Sequence, residues 1–229
     1  MPRGTRIPDK GTATPESAVW RAGTRLYRVH DHRFSPEAMN PTVRDPHFGG
    51  ARFDSTPNDV YPYLYAAPTQ LTALAETLLR DMPFDGNTLR LLPRRAVSGR
   101  RLSQVELTVD VRLVSLVSMP DLNAVQQDDW LVDADAPEYP FTRRWGHWLR
   151  ESTDWAQGFV WMSKRDRPQQ AIVLFGDRFH SPGPDGGSPL RPTGEPPLDL
   201  GSPEGIDRLN AMFRPYRTMI APASGPATA

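Results

Sequence analysis

The stretch "LSQVELTVDVRLVSL", residues 102–116, constrains the fold more than any other part of the chain. Val105, Leu107, Val109 and Val111 recur at every second position, with Glu106, Thr108, Asp110 and Arg112 between them. Successive strand residues point to opposite faces, so the pattern predicts one long strand with one buried face. A single strand cannot bury that face, so partners are required. The sequence offers "TRLYRVH" (24–30), "YPYLYAA" (61–67), "GFVWMS" (158–163) and "QAIVLFGD" (170–177).

Helical spacing lies between these strands. In "PTQLTALAETLLRDM" (68–82), Leu71, Leu74, Ala75, Leu78 and Leu79 fall on one face. Pro68 suits the start of that helix and Thr69 its N-cap. "YPFTRRWGHWLRES" (139–152) reads as a helix with Trp145, Trp148 and Leu149 on one side. "MPDLNAVQQDDWLVDA" (119–134) reads as a turn and a short helix, and "IDRLNAMFRPYRTMI" (206–220) as a helix that Pro215 ends or kinks. Residues 31–60 carry turn formers and read as loop with short extended pieces. Residues 181–205 hold seven Pro and six Gly and predict a long irregular loop. Strands and helices alternate without a regular βαβ beat, which predicts an α+β fold rather than a doubly wound sheet. Residues 1–18 are expected to form a flexible arm, with order starting near Trp20. Residues 206–229 are expected to form a C-terminal helix and a disordered tail.

Composition excludes several classes of function. Lys+Arg and Asp+Glu both number 27, which gives no bulk charge for nucleic-acid binding. The basic run "LPRRAVSGRR" (92–101) reads as a solvated loop, although it could form a local patch. There is no cysteine, hence no disulfide framework, thiolate metal site or thiol nucleophile. No apolar run approaches the roughly 20 residues that span a bilayer, and the N-terminus lacks a signal-like apolar segment. The expectation is a soluble, cytoplasmic protein. Phosphate-loop, dinucleotide-fold, zinc-protease and nucleophile-elbow motifs are missing. His30 and His32 lack a third partner at a recognised metal spacing, and Asp128, Asp129, Asp133 and Asp135 read as a solvated turn, so no metal site is expected.

What remains is an ordered set of polar residues. Arg28 stands in "LYR", Arg52 follows a glycine pair in "FGGARFD", and Tyr65 ends a strand. Glu76 lies on an otherwise apolar helix, and Ser163 ends the strand "GFVWMS". Glycines permit close approach of backbone to a ligand, and a neighbouring guanidinium can fork onto phosphate or carboxylate. Singly, each has an ordinary reading: Arg28 as an ion-pair partner, Tyr65 as a rim aromatic, Ser163 as a turn residue, Glu76 as a solvated helix residue.

Taken in order, "LYRV" (26–29), "GGARFD" (49–54), "YLYAAPTQLTALAE" (63–76) and "GFVWMSKRDRPQQAIVLF" (158–175) resemble the RES domain family, whose members are toxins of RES–Xre toxin–antitoxin systems. The resemblance implies an ADP-ribosyltransferase-like fold, a split β-sheet sandwich with flanking helices, over an NAD-binding domain at 19–180. It implies an NAD-degrading enzyme, a phosphorylase or glycohydrolase, with NAD as substrate, inorganic phosphate as a candidate co-substrate and no bound cofactor. It implies that Glu76 is the catalytic carboxylate, assisted by Arg52 and Tyr65. Arg28 and Arg52 would hold the pyrophosphate or ribose, with Tyr27 beside Arg28 on the substrate, and Ser163 would position the nicotinamide end. A cognate Xre-type antitoxin and a homodimer are the implied partners, without membrane or direct nucleic-acid binding. Two other readings stay open: an ADP-ribosyltransferase acting on a macromolecule, and a non-catalytic interaction module.

Overall fold

The computed structural model describes residues 7–9, 11–82, 84, 88–179 and 188–222. Strands β1 (Ser17–Trp20), β2 (Arg25–Asp31) and β3 (Tyr63–Ala66) precede helix α1 (Gln70–Leu78). Strands β4 (Arg90–Leu92), β5 (Arg100–Leu107) and β6 (Val111–Leu116) lead into helices α2 (Met119–Ala124), α3 (Trp130–Asp133) and α4 (Tyr139–Ser152). Strands β7 (Gly158–Met162), β8 (Gln170–Phe175), β9 (Leu190–Pro192) and β10 (Leu198–Asp199) follow, then helix α5 (Pro203–Phe213) and strand β11 (Thr218–Ile220).

Two main sheets result. One runs β1-β6-β7-β8-β3, antiparallel except for the β6–β7 pair. The other is antiparallel, with β2 along one edge of β5 and both β9 and β10 along the other. A parallel pair, β4 with β11, stands apart. Leu26, Val105 and Leu107 of the second sheet meet Leu64, Leu113, Val160 and Ile172 of the first in a shared core. Helices α2, α3 and α4 cover the far face of the larger sheet, where Trp145 and Leu149 pack on Phe159, Trp161 and Phe175. Helices α1 and α5 cover the far face of the smaller sheet, where Leu74 and Leu209 pack near Leu102. The expected α+β class and sandwich of split sheets with flanking helices are therefore present.

Residues 102–116 form two strands rather than one. The chain turns at 108–110 and passes from the smaller sheet to the larger. Thr108 donates to Pro189 O and Ser188 O at 3.0 and 2.9 Å, while Asp110 accepts from the amide of Ala22 at 2.9 Å. Val105, Leu107, Val111 and Leu113 all enter the same inter-sheet core. The apolar phase survives the corner, so period-two alternation could not reveal it.

Residues 188–205 are not a plain loop either: β9 and β10 complete the open edge of β5. Residues 180–187 lie outside the described residues, as do 1–6 and the expected tail at 223–229. Within the expected N-terminal arm, Ile7 and Ala13 pack on the main core and Thr14 N donates to Ala124 O at 3.0 Å. These contacts precede Trp20, and β1 starts at Ser17 because pairing with β6 satisfies the backbone there. Pro215 ends α5 as expected, but Arg217, at φ +49°, then turns the chain into β11.

Candidate active site

The two main sheets touch at an isolated bridge: Tyr27 N donates to Ala67 O at 2.7 Å, and Ala67 N to Tyr27 O at 2.9 Å. Beside this bridge lies a cavity of about 320 Å³. Its wall takes Arg28 from β2, Tyr65 from β3, Glu76 from α1 and Arg52 from the loop between β2 and β3. Residues distant in sequence are thus brought together by the fold.

Helix α1 aims Glu76. Thr69 caps it, accepting from Thr72 N at 3.0 Å, and the apolar face of Leu74, Ala75 and Leu78 fixes its rotation. Glu76 Oε1 accepts from Ser163 Oγ at 2.6 Å and Oε2 from Arg52 Nη1 at 3.4 Å. The direction of the serine bond is determined by its other partners. Ser163 Oγ accepts the amides of Asp166 (3.0 Å) and Arg165 (3.3 Å), which occupies both lone pairs and leaves its one proton for the carboxylate. Ser163 is fully buried behind Glu76 and is not part of the cavity wall. It orients the carboxylate rather than facing the cavity.

The same turn is pinned on every side. Asp166 accepts from Thr72 Oγ1 at 2.6 Å and from the Tyr216 hydroxyl at 2.5 Å, joining α1 to the C-terminal segment. Arg165 donates to Arg80 O, just beyond the end of α1, and Lys164 to Asp135 Oδ1 at 2.7 Å. Asp133 and Asp135, expected as a solvated turn, are therefore anchor points for this loop.

Arg52 is held by its loop. Gly49 and Gly50 have φ of +60° and +77°, and a Cβ at Gly50 would lie 2.9 Å from both Arg143 Nη1 and Asp54 Oδ2. Arg143 of α4 grips this loop by donating to Gly49 O at 2.7 Å and Pro46 O at 3.2 Å. The Arg52 and Arg80 guanidiniums lie 5.7 and 5.2 Å from the centre of one ring, that of Tyr139. Tyr65 has its hydroxyl fixed by the amide of Phe53 at 3.0 Å, and burial pushes its pKa well above the usual phenol value. Arg28 donates to Pro36 O and Ala38 O at 2.8 and 2.7 Å; burial lowers its pKa to about 10, so it stays charged at neutral pH.

Arg28, Arg52, Tyr65, Glu76 and, behind them, Ser163 form one constellation. Tyr27 is the exception. It lies on the opposite face of β2, packed with the core between that sheet and α1 and α5, and its hydroxyl is taken by Gln104. The alternation of β2 sends the Tyr27 and Arg28 side chains to opposite faces, so with Arg28 in the cavity wall Tyr27 turns to that core. Three further arginines line the wall: Arg44, Arg80 and Arg100. Arg80 follows Glu76 at i+4 in the helix expected over 68–82, which is the signal that could have found it, although α1 itself ends at Leu78. Arg44 lies in the loop after β2, and Arg100 in the basic run read as solvated, where no local pattern marks them.

The cavity carries five arginines against two carboxylates, Glu76 and Asp54. Low-dielectric walls focus such a surplus, so the site selects anions. Arg28 Nε, Arg52 Nε and Trp161 Nε1 are buried in residues of this wall with no hydrogen-bond partner among the described residues. Unmet buried donors of this kind mark a place where a ligand can supply acceptors. His30 is tied to Ser103 Oγ (2.8 Å) and Asp31 O (3.0 Å), and among the described residues no group of three or more His, Asp or Glu could hold a metal.

A family model for the RES domain matches residues 25–190. The chain belongs to the RES domain family. The RES match opens with β2, which carries Arg28, and includes every residue of the constellation. A chain from the MbcT–MbcA toxin–antitoxin complex of M. tuberculosis is similar in fold, with a TM-score of 0.56 and 15% identity, covering 84% of this chain and 92% of that one. No curated protein matches the sequence significantly. Among the described residues, no helix is long and apolar enough to cross a membrane.

Proposed function

We propose that this RES protein is a toxin that destroys NAD by cleaving the nicotinamide–ribose bond. The observation that carries this reading is Glu76, a carboxylate clamped by Ser163 and Arg52 at the wall of an arginine-rich cavity. Departure of nicotinamide leaves positive charge on the ribose, an oxocarbenium ion of the kind formed in glycoside cleavage. A pre-oriented carboxylate stabilises that charge, and its two fixed donors spare it reorganisation during the reaction. Nicotinamide leaves as a neutral molecule from a cationic ring nitrogen, so no general acid is required. The arginine surplus matches the pyrophosphate dianion. The proposed acceptor is water or inorganic phosphate. An antitoxin, of Xre type by family, is the proposed partner, and the toxin–antitoxin complex in which the similar fold occurs supports it.

The test is NAD consumption by the purified protein, with and without phosphate, beside Glu76→Gln. Loss of NAD only with phosphate means phosphorolysis, and loss without it means hydrolysis. In either case Glu76→Gln is expected to remove activity in a variant that still unfolds cooperatively, well above the assay temperature. No loss in either condition, together with no rise in Tm on adding NAD, would refute the reading.

A further inference from the structure

A second cavity of about 480 Å³ adjoins the first and shares Arg28, Val29, Asn40, Arg44 and Arg100 with it. The shared residues form a waist between the two chambers, and three of them are arginines. The Arg100 side chain donates no hydrogen bond among the described residues, and burial followed by the nearby charge of Arg80 lowers its pKa. The Arg44 side chain is 44% exposed, with Asp54 at 3.7 Å and the Tyr63 hydroxyl beside it. Both cations are therefore available to an anion at the waist.

The far chamber has a flat apolar group at its rim. Phe34 is 54% exposed, and Arg33, held by Asp31 through bonds of 2.9 and 2.7 Å, lies 5.7 Å from its ring centre. An exposed aromatic beside a cationic waist is the pairing that binds a nucleotide, base on ring and phosphate on arginine. His30, in the same chamber, has both ring nitrogens engaged and contributes shape rather than proton transfer.

We infer that the second cavity takes the purine nucleotide half of the dinucleotide, with Phe34 stacking on the base and Arg44 and Arg100 holding the pyrophosphate. This deepens the proposed function, and rests on it in taking NAD as the ligand. It reassigns the pyrophosphate from Arg52, which is engaged with Glu76, to the waist. It also predicts that the enzyme discriminates a dinucleotide from a mononucleotide.

Two measurements test the inference. ADP is titrated calorimetrically into the wild type, Phe34→Ala, Arg100→Ala and Glu76→Gln. ADP is expected to bind the wild type. Loss of base stacking is expected to weaken it by roughly five- to 150-fold in Phe34→Ala, with at least a tenfold loss in Arg100→Ala. Glu76→Gln, which touches only the first cavity, should not weaken it. Phe34 is a surface residue, so its truncation leaves the fold intact. In turnover, Phe34→Ala should raise KM for NAD by a similar factor with kcat held, and leave kcat/KM for nicotinamide mononucleotide within twofold. Absence of ADP binding, an unchanged Phe34→Ala, or equal losses on both nicotinamide substrates would overturn the inference. ADP binding as expected without any NAD turnover would instead sink the proposed function and leave the nucleotide chamber standing.

Discussion

Ser163→Ala separates a carboxylate that merely sits in the cavity from one that must be held. The substitution deletes a 2.6 Å bond to Glu76 Oε1 and strips the amides of Arg165 and Asp166 of their common acceptor. A hydrogen bond to a charged group contributes about 1.5–3 kcal/mol, so a transition state that relies on this geometry should slow by roughly 10- to 150-fold. The orphaned amides at a fully buried side chain add a stability cost of about 2–4 kcal/mol, which in a protein of this size lowers Tm by roughly 5–15 °C. The assay is single-turnover NAD cleavage at a temperature well below the lowered Tm, alongside thermal unfolding. Because Ser163 lies behind the wall, KM for NAD should stay within twofold. A variant that loses stability but keeps its full single-turnover rate would show that Glu76 needs no orienting partner.

Four further outcomes are expected. Arg52→Lys keeps the charge but not the reach of the planar fork over Tyr139, and should lose at least tenfold in kcat; an unchanged rate would limit Arg52 to bulk charge. Gly50→Ala forces a Cβ into left-handed backbone and against Arg143 and Asp54, costing about 1–2 kcal/mol in stability; an unchanged Tm would contradict the loop geometry. Arg150→Met removes a buried cation bonded to Asp59 and Asp177 at 2.8 Å, outside the wall of the Glu76 cavity, and should cost about 1–3 kcal/mol in unfolding assays while kcat is kept. Finally, burial holds the pKa of His30 and of His147 below the ordinary imidazole value of 6.5. The unfolded chain then binds protons that the folded chain does not, so stability rises with pH up to about 6.5 and levels off above it. Tm at pH 7.5 should exceed Tm at pH 5.5, and the reverse order would refute the assignment.

The candidate site was legible through the order of its motifs, which resembles the RES family, rather than residue by residue. Glu76 beside an apolar helix face, Arg52 after paired glycines and Ser163 at a strand end each have an ordinary reading when taken alone. Tyr27 was misplaced because a motif read as a string ignores the strand period that sends Tyr27 and Arg28 to opposite faces. Arg44 and Arg100 were hidden because a loop arginine looks the same whether it meets solvent or a cavity; only the tertiary approach of β2 and β5 decides. The corner at 108–110 was hidden because both strands face one core in one phase. Strands β9 and β10 were hidden for a different reason. Pro and Gly are tolerated on edge strands, so a stretch rich in both can still pair.

The pairing of β5 with β9 and β10 has a practical meaning for anyone cutting this gene. The family match stops at residue 190, yet most of the structure that covers the far edge of β5 comes later, as do α5 and the Tyr216 hydroxyl that braces Asp166. A chain trimmed to the match would leave a bare strand edge, a template for sticking to other copies, and would unfasten the turn behind Glu76. The unit that folds is longer than the unit that is recognised, and a truncated version meant to fold should run at least through β11.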